Sequence, residues 1–415
     1  MKIAILAFHF PPDPAVGSVR PASWARWLSP HHEVVVVTRG MAVGHEPHCH
    51  GYRVVRTRSP AVSLISRLQE RRVAARVRNA GTTQSTPSPR PRRPRQPTGA
   101  FTYRMPCLYD AWGPAAYRVL HQERPDVVIA THSPYISLLT AAGYAARNPG
   151  VSCWLDYRDM WTFGHASSGI PAISLLEQRL ERWAIRQSTL VTSCSEGFCA
   201  RLAAAVPGKT PRLIYNSPGD RDQGSSSAPP ISRRGRLTVA YTGNLYPWQD
   251  ATPLWKMIRG LHESRRLSPD DLQIDIVSRL PDAIVQSAAA AGVAQYVRYH
   301  GSVSREQALA MQRTADVLLL LDSPDPAADG VLHAKVFEYL ATDRPILLLG
   351  SGPSSELHRM ITAHERLLSI TQLQAVLEGR HAVPTGIAVD YATIAKRQLT
   401  DCLSLLEGHR HARAA

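Results

Sequence analysis

Short apolar runs alternate along this chain with longer stretches whose apolar positions recur at helical spacing. Ile3 to Phe8 is the first run, and it opens through HFPPDPAVGS into a stretch from Val19 to Leu28 carrying Trp24, Trp27 and Leu28. Val34 to Thr38, Tyr52 to Thr57, Asp126 to Thr131, Val151 to Asp156, Leu190 to Cys194 and Arg212 to Tyr215 continue the series. Runs too short for helices and bounded by Pro, Gly or Asp read as buried parallel strands. Between them Leu108 to Gln122, Ile136 to Arg147 and Ile173 to Gln187 read as helices, the last amphipathic at the helical period. The second half repeats the scheme from Leu237, with strands Gln273 to Val277, Val297 to His300, Val317 to Leu321 and Ile346 to Leu349. Helices are predicted there over Val331 to Ala341, Ser355 to Thr362, Gln372 to Leu377 and Tyr391 to Leu406. Two strand–helix series predict an α/β protein of two doubly wound domains. The expected boundaries are 1–217, a Ser/Pro/Arg linker 218–236, a second domain 237–386, and a closing helix with tail 387–415.

Composition narrows the class. A chain of 415 residues, 44% hydrophobic and 20% charged, supports two globular domains. It contains no run of eighteen apolar residues, the length a membrane span needs. MKIAILAF runs straight into Pro11-Pro12 without a cleavage site, so it reads as a first strand and not a signal peptide. The six cysteines are scattered, without CxxC or Cys/His metal spacing, as expected of reduced thiols in a cytosolic protein. His45, His48 and His50 lack carboxylate or Cys partners and read as a solvated loop between two strands. Asp220-Arg221-Asp222 is formally a DxD but lies in the linker, so no metal site is expected.

The net charge of +15 is concentrated. From Arg67 to Arg104 ten arginines stand against one acid, Glu70. Its first half can form a basic amphipathic helix, and its Pro/Ser/Arg-rich second half is expected to be disordered over about residues 79–100. Three uses compete for residues 67–97: an anchor on an anionic membrane surface, a nucleic-acid tail, or an inert insertion. The basic core lacks the aromatics or reading module of a nucleic-acid binder.

Candidate chemistry centres on DSPDPAADGVLHAKVFEYLATDRPILLLG, Asp322 to Gly350. A strand, a Gly-bearing loop and a helix start make an anion site. Free N–H groups at Gly330, Val331 and Leu332 would face a phosphate, with Lys335 and Glu338 at the mouth. An ordinary βαβ unit with a solvated Glu explains the same pattern. Gly17 and Ser18 begin the first helix, where glycine admits a close ligand or serves a plain turn. Arg158 and Asp159 lie in DYRDMWT at a strand end, either paired structurally or facing a cleft. Ser195 reads as an N-cap.

HAKVFEYLATDRPILLLG resembles the SK-x-x-EY-L-A-x-G-[KR]-P signature of glycosyltransferase family 4, which has the GT-B fold. Asp156 to Trp161 is similar to the family's D-x-RD-x-W segment, and Tyr241 to Leu245 to its YTGNL strand and loop. The resemblance implies two facing Rossmann-like domains and retaining transfer from a nucleotide-sugar, which serves as co-substrate, with no further cofactor. It implies that Glu338 binds the ribose and that Gly330, Val331, Leu332 and Lys335 surround the diphosphate. Gly243, Asn244, Gly17 and Ser18 become donor-side candidates. Many members carry a second Glu eight positions before the first; here that position is Gly330, and Asp329 beside it is the candidate substitute. The loop after Asn244 lacks Lys and Arg, so Arg279, Lys335 or Arg344 must supply the counter-charge. Asp159, Arg158 and Asp329 are the implied catalytic candidates. The acceptor would be a sugar, a lipid-linked species or a small molecule, which favours the membrane use of residues 67–97 and no nucleic acid. A cytoplasmic enzyme, peripheral on the inner face of the membrane, fits this. The alternatives are a sugar-nucleotide 2-epimerase of the same fold and a basic nucleic-acid-binding protein without catalysis.

Overall fold

The apolar run Val317–Leu321 is a fully buried strand with both faces covered. Val317, Leu319 and Leu321 enter one hydrophobic cluster, and Leu318 and Leu320 enter the other. A strand's side chains alternate between faces, so an uninterrupted apolar run is what a strand buried on both sides requires.

The computed structural model describes residues 1–13, 15–40, 44–49, 51–58, 100–101, 104–164, 169–218, 235–245, 248–278, 282–383 and 386–414. The chain divides into two units, Met1–Ile214 with Lys396–Ala415, and Tyr215–Ala395. The long helix Tyr391–Ala414 contributes residues to both. The division falls at Ile214, a few residues before the expected end of the first domain at 217, and residues 219–234 lie outside the described residues.

In the first unit the main sheet has eight strands. They are β1 (Lys2–Leu6), β2 (Glu33–Gly40), β3 (Gly44–Cys49), β4 (Tyr52–Arg58), β5 (Val127–His132), β6 (Ser152–Tyr157), β7 (Leu190–Ser193) and β8 (Arg212–Leu213). Their order is β8-β7-β6-β5-β1-β2-β4-β3, parallel throughout except for the β3–β4 pair. The histidine loop is therefore corrected: His45 and His48 stand on an antiparallel edge strand, which the polar residues of this segment disguised. His50 lies outside the described residues.

Helix Val19–Leu28 packs Trp24, Ala25 and Leu28 inward, and the Trp24 ring meets that of Trp154 on β6 at 5.3 Å. Arg104, the last arginine of the basic stretch, is buried against Glu177, its Nε 3.0 Å from Oε1 and its Nη2 2.8 Å from Oε2. The other nine arginines of that segment lie outside the described residues.

In the second unit six parallel strands follow: β9 (Leu237–Thr242), β10 (Leu272–Val277), β11 (Val297–Gly301), β12 (Val317–Leu321), β13 (Ile346–Leu349) and β14 (Leu367–Leu368). Their order is β11-β10-β9-β12-β13-β14. β9 and β12 are neighbours, paired Val239 to Val317 and Ala240 to Leu318. The C-terminal ends of these two strands therefore lead into adjacent loops, where doubly wound sheets carry their ligands.

Among the described residues no helix is long and apolar enough to cross a membrane.

Candidate functional site

β9 ends at Thr242, and the chain turns at Gly243, whose φ of +118° few other residues adopt. A Cβ at Gly243 would lie 3.1 Å from Lys335 Nζ, so glycine also leaves room for the amine. Lys335 donates to the Tyr241 hydroxyl at 2.8 Å, and its nitrogen stands 4.0 Å from the ring centroid. The Tyr241 hydroxyl lies 2.8 Å from the Asn244 carbonyl and 3.3 Å from Gln249 Oε1. Gln249 in turn donates to Leu321 O at 2.6 Å, tying this turn to the end of β12. Burial pushes the Lys335 amine down to about 7, opposed by the nearby Glu338 carboxylate.

The loop after β12 differs from the sequence expectation. The helix begins at Ala334, with His333 as N-cap, and runs to Leu340. The N–H groups of Gly330, Val331 and Leu332 do not stand free for a phosphate. Gly330 donates to Asp329 Oδ1 at 3.0 Å, Val331 to Ala328 O at 3.0 Å, and Leu332 to Gly330 O at 3.1 Å. The Pro326–Ala328 turn, capped by Asp325, and Gly330 at φ +88° fold the segment back on itself and use those groups before the helix starts. Asp329 Oδ1 also accepts from Glu356 N at 2.9 Å, so this carboxylate joins the loop to the start of the next helix.

Glu338 is one turn beyond Lys335, which puts both on one helix face. Its Oε2 accepts from Gln312 Nε2 at 3.0 Å, and its Oε1 lies 3.0 Å from Arg305 Nη1. Gln312 Nε2 also donates to Thr242 Oγ1 at 2.8 Å. Thr242 N donates to the Tyr339 hydroxyl at 3.1 Å, which closes a buried network between β9 and the helix. Arg305, Gln312, Thr242 and Tyr339 were not sequence candidates. A signal was present for Gln312: it shares the buried stripe of helix Arg305–Thr314 with Leu309, and a polar residue on such a stripe needs a partner.

Arg279, the sequence candidate for diphosphate counter-charge, lies outside the described residues. Arg344 is buried and lies 3.3 Å from Asp343 Oδ1.

The remaining candidates belong to the first unit. Arg158 holds three backbone carbonyls: His132 O at 2.8 Å, Gly17 O at 2.7 Å and Ser133 O at 3.2 Å. A Cβ at Gly17 would fall 2.3 Å from Arg158 Nη1, so this glycine makes room for the guanidinium. Ser18 is buried at the start of helix Val19–Leu28. Asp159 is exposed, and its carbonyl lies 2.8 Å from His132 Nδ1. A carbonyl only accepts, so Nδ1 carries the proton, and burial pushes the imidazole down to about 4. Arg158 and Asp159 thus act on different partners and do not form the simple pair that is one reading of their adjacency. Ser195 caps helix Glu196–Ala205, accepting from Phe198 N at 3.1 Å.

Residues 17–219 match the family model described as a glycosyl transferase 4-like domain. No curated protein matches the sequence. Solved structures do match it over the full length. Sucrose-phosphate synthase from Thermosynechococcus elongatus superposes with a TM-score of 0.58 at 12% identity, covering 100% of this chain and 99% of that one. The lipopolysaccharide outer core galactosyltransferase WaaB, in its apo form, gives 0.53 at 13%, covering 97% and 99%. A structure described as trehalose-6-phosphate from E. coli bound with UDP-2-fluoro glucose gives 0.56 at 10%, covering 99% of each chain. At such identities the likeness establishes the fold, two Rossmann-like α/β units of the GT-B class.

Proposed function

We propose that this chain is a retaining glycosyltransferase that moves a sugar from a nucleotide-sugar to an acceptor in the making of a polysaccharide, a glycolipid or a glycosylated metabolite. The match to the glycosyl transferase 4-like family model and the GT-B fold support the coarse activity. The observation that carries the donor site is the placement of Lys335 and Glu338 on one helix face beside the Gly243 turn. An ammonium held at a glycine turn suits a diphosphate. A carboxylate one turn away, with both oxygens oriented, suits a pair of ribose hydroxyls.

In this reading the departing diphosphate gathers negative charge as the sugar–oxygen bond breaks. Lys335, with Arg279, stabilises that charge, which is the main catalytic device of such a transfer. The reaction then needs no divalent cation, and activity in EDTA is the expected result. Gly17 and Ser18 serve the donor side, and Arg158 and Asp159 serve the reacting sugar. Asp329 orders the loop between β12 and the helix. The basic residues 67–97 hold the enzyme on an anionic membrane surface, where a lipid-linked acceptor is presented.

Hydrolysis and thermal-protection assays against UDP-, GDP-, ADP- and dTDP-sugars test the activity and identify the base. Glu338→Ala is expected to weaken the nucleotide-sugar found in that panel by roughly 1–3 kcal/mol, because two hydrogen bonds to a carboxylate are lost. Unchanged affinity in titration calorimetry would remove Glu338 from the ribose.

A further inference from the structure

Glu338 is held by one helix. Arg305 is the first residue of helix Arg305–Thr314, and Gln312 follows seven positions later. Seven residues are almost two helical turns, so both lie on one stripe, about 10 Å apart along the axis. They take one carboxylate oxygen each: Arg305 Nη1 is 3.0 Å from Oε1, and Gln312 Nε2 is 3.0 Å from Oε2.

Both holders are themselves fixed. Arg305 Nη2 donates to Pro218 O at 2.8 Å. Gln312 is 1% exposed, and its Nε2 also donates to Thr242 Oγ1 at 2.8 Å. The reversed amide would bring Gln312 Oε1 against the carboxylate, so the orientation is set by the network. The helix carrying them starts with a capping box, Ser304 with Gln307, which secures its first turn.

A carboxylate oxygen has two lone-pair directions. Among the described residues one donor stands at each oxygen, which leaves Glu338 one lone-pair direction on each. That pattern matches two adjacent hydroxyls and fits a single hydroxyl poorly. We infer that Arg305 and Gln312 are positioning residues that fix Glu338 as a receptor for a vicinal diol, and so set the preference for ribo- over 2′-deoxyribonucleotides. The inference rests on the nucleotide reading of this site and adds two residues to it. Neither touches the nucleotide in this account; each acts through Glu338.

The test is titration of the wild-type chain, Glu338→Ala, Arg305→Met, Arg305→Lys and Gln312→Leu with UDP, GDP and ADP and with their 2′-deoxy counterparts. For the nucleotide that binds, the wild type is expected to prefer the ribo form by about tenfold, the worth of one good hydrogen bond to a charged group. Arg305→Met and Gln312→Leu should each bring that ratio to within about threefold, as a freed carboxylate loses its alignment. Arg305→Lys, which keeps a donor, should restore part of it. A purely structural role would weaken ribo and deoxy forms alike and leave the ratio at its wild-type value, and that result overturns the inference. Should Gln312→Leu fail to fold, Arg305→Met decides, since the Arg305 side chain is 45% exposed and costs little core packing. Glu338→Ala separates the two levels. If it changes neither affinity nor ratio, the nucleotide reading itself falls. If it abolishes the preference while Arg305→Met and Gln312→Leu keep it, the positioning inference alone falls.

Discussion

The Lys335 ammonium nitrogen stands 4.0 Å from the centroid of the Tyr241 ring and 2.8 Å from its hydroxyl oxygen. The ring face attracts the cation, yet burial outweighs that attraction and brings the amine down to about 7 from an ordinary 10.5. Below about pH 7 the amine is charged in folded and unfolded chains alike. Between about 7 and 10.5 the folded chain binds fewer protons, so this group makes stability rise with pH across that window. Diphosphate binding has the opposite sense, because the anion favours the charged amine. Nucleoside diphosphate affinity is expected to fall about tenfold from pH 6 to pH 8, with proton uptake on binding above neutrality. Calorimetry in buffers of different ionisation enthalpy measures both, and Lys335→Met should flatten the profile. A profile equally steep in that variant would place the titrating group elsewhere.

Arg20 and Asp156 form a buried two-point pair, Nε to Oδ2 at 2.9 Å and Nη2 to Oδ1 at 2.8 Å. Thr192 donates to the same Oδ1 at 2.8 Å, and Arg20 Nη1 reaches Ile214 O at 2.8 Å. Arg20→Met leaves a buried carboxylate without its cation and is expected to cost about 3–5 kcal/mol in urea denaturation. The double change Arg20→Met with Asp156→Asn should cost clearly less than the sum of the singles. Additive losses would show that the two groups are not coupled.

Glu181 is buried on helix Pro171–Gln187 and accepts from Thr162 N at 2.8 Å. Burial dominates and pushes its carboxyl up to about 7 from 4.5, against the hydrogen bonds from Thr162. The folded chain therefore holds a proton that the unfolded chain has lost between about pH 4.5 and 7. Stability from this group is complete below 4.5 and is lost as pH rises through about 7, by about 3 kcal/mol in all. Glu181→Gln should remove that slope from a series of melting curves at pH 5 to 8. An unchanged slope would assign the titration to another group.

The basic segment gives a prediction from sequence. Its cations attract anionic lipid by about 1 kcal/mol each near the surface, and its apolar side is too modest to hold alone. The chain should cosediment with vesicles of phosphatidylcholine and phosphatidylglycerol at low salt and leave them as salt rises. Deleting residues 67–97 should abolish the association and spare nucleotide-sugar binding. An intact chain that ignores such vesicles would make the segment an insertion without this role.

Many strands and helices were legible in the order of residues, but the edge strand Gly44–Cys49 and helix Arg305–Thr314 were not predicted. Val317–Leu321, Ile346–Leu349, Val19–Leu28 and Ile136–Arg147 have the limits their patterns predict. Burial repeats with a period of two in a strand and 3.6 in a helix, so element type is written within a few neighbouring residues. The same local logic placed Lys335 and Glu338 on one face and Ser195 at a helix start. It failed for the Gly330 loop, because nothing near Asp329 shows that its carboxylate will hold Gly330 N and Glu356 N together.

Side-chain partners were decided by the folded arrangement. Gln312 meets Glu338 across 26 positions, and Arg158 meets Gly17 across 141. Such pairs depend on which strands lie side by side and in what register. Here β9 sits beside β12, which brings Thr242 and the helix carrying Glu338 into one network. Apolar periodicity constrains each element's buried face but leaves strand order open. A polar residue on that face declares only that it needs a partner, and the packing of distant elements determines which one it finds.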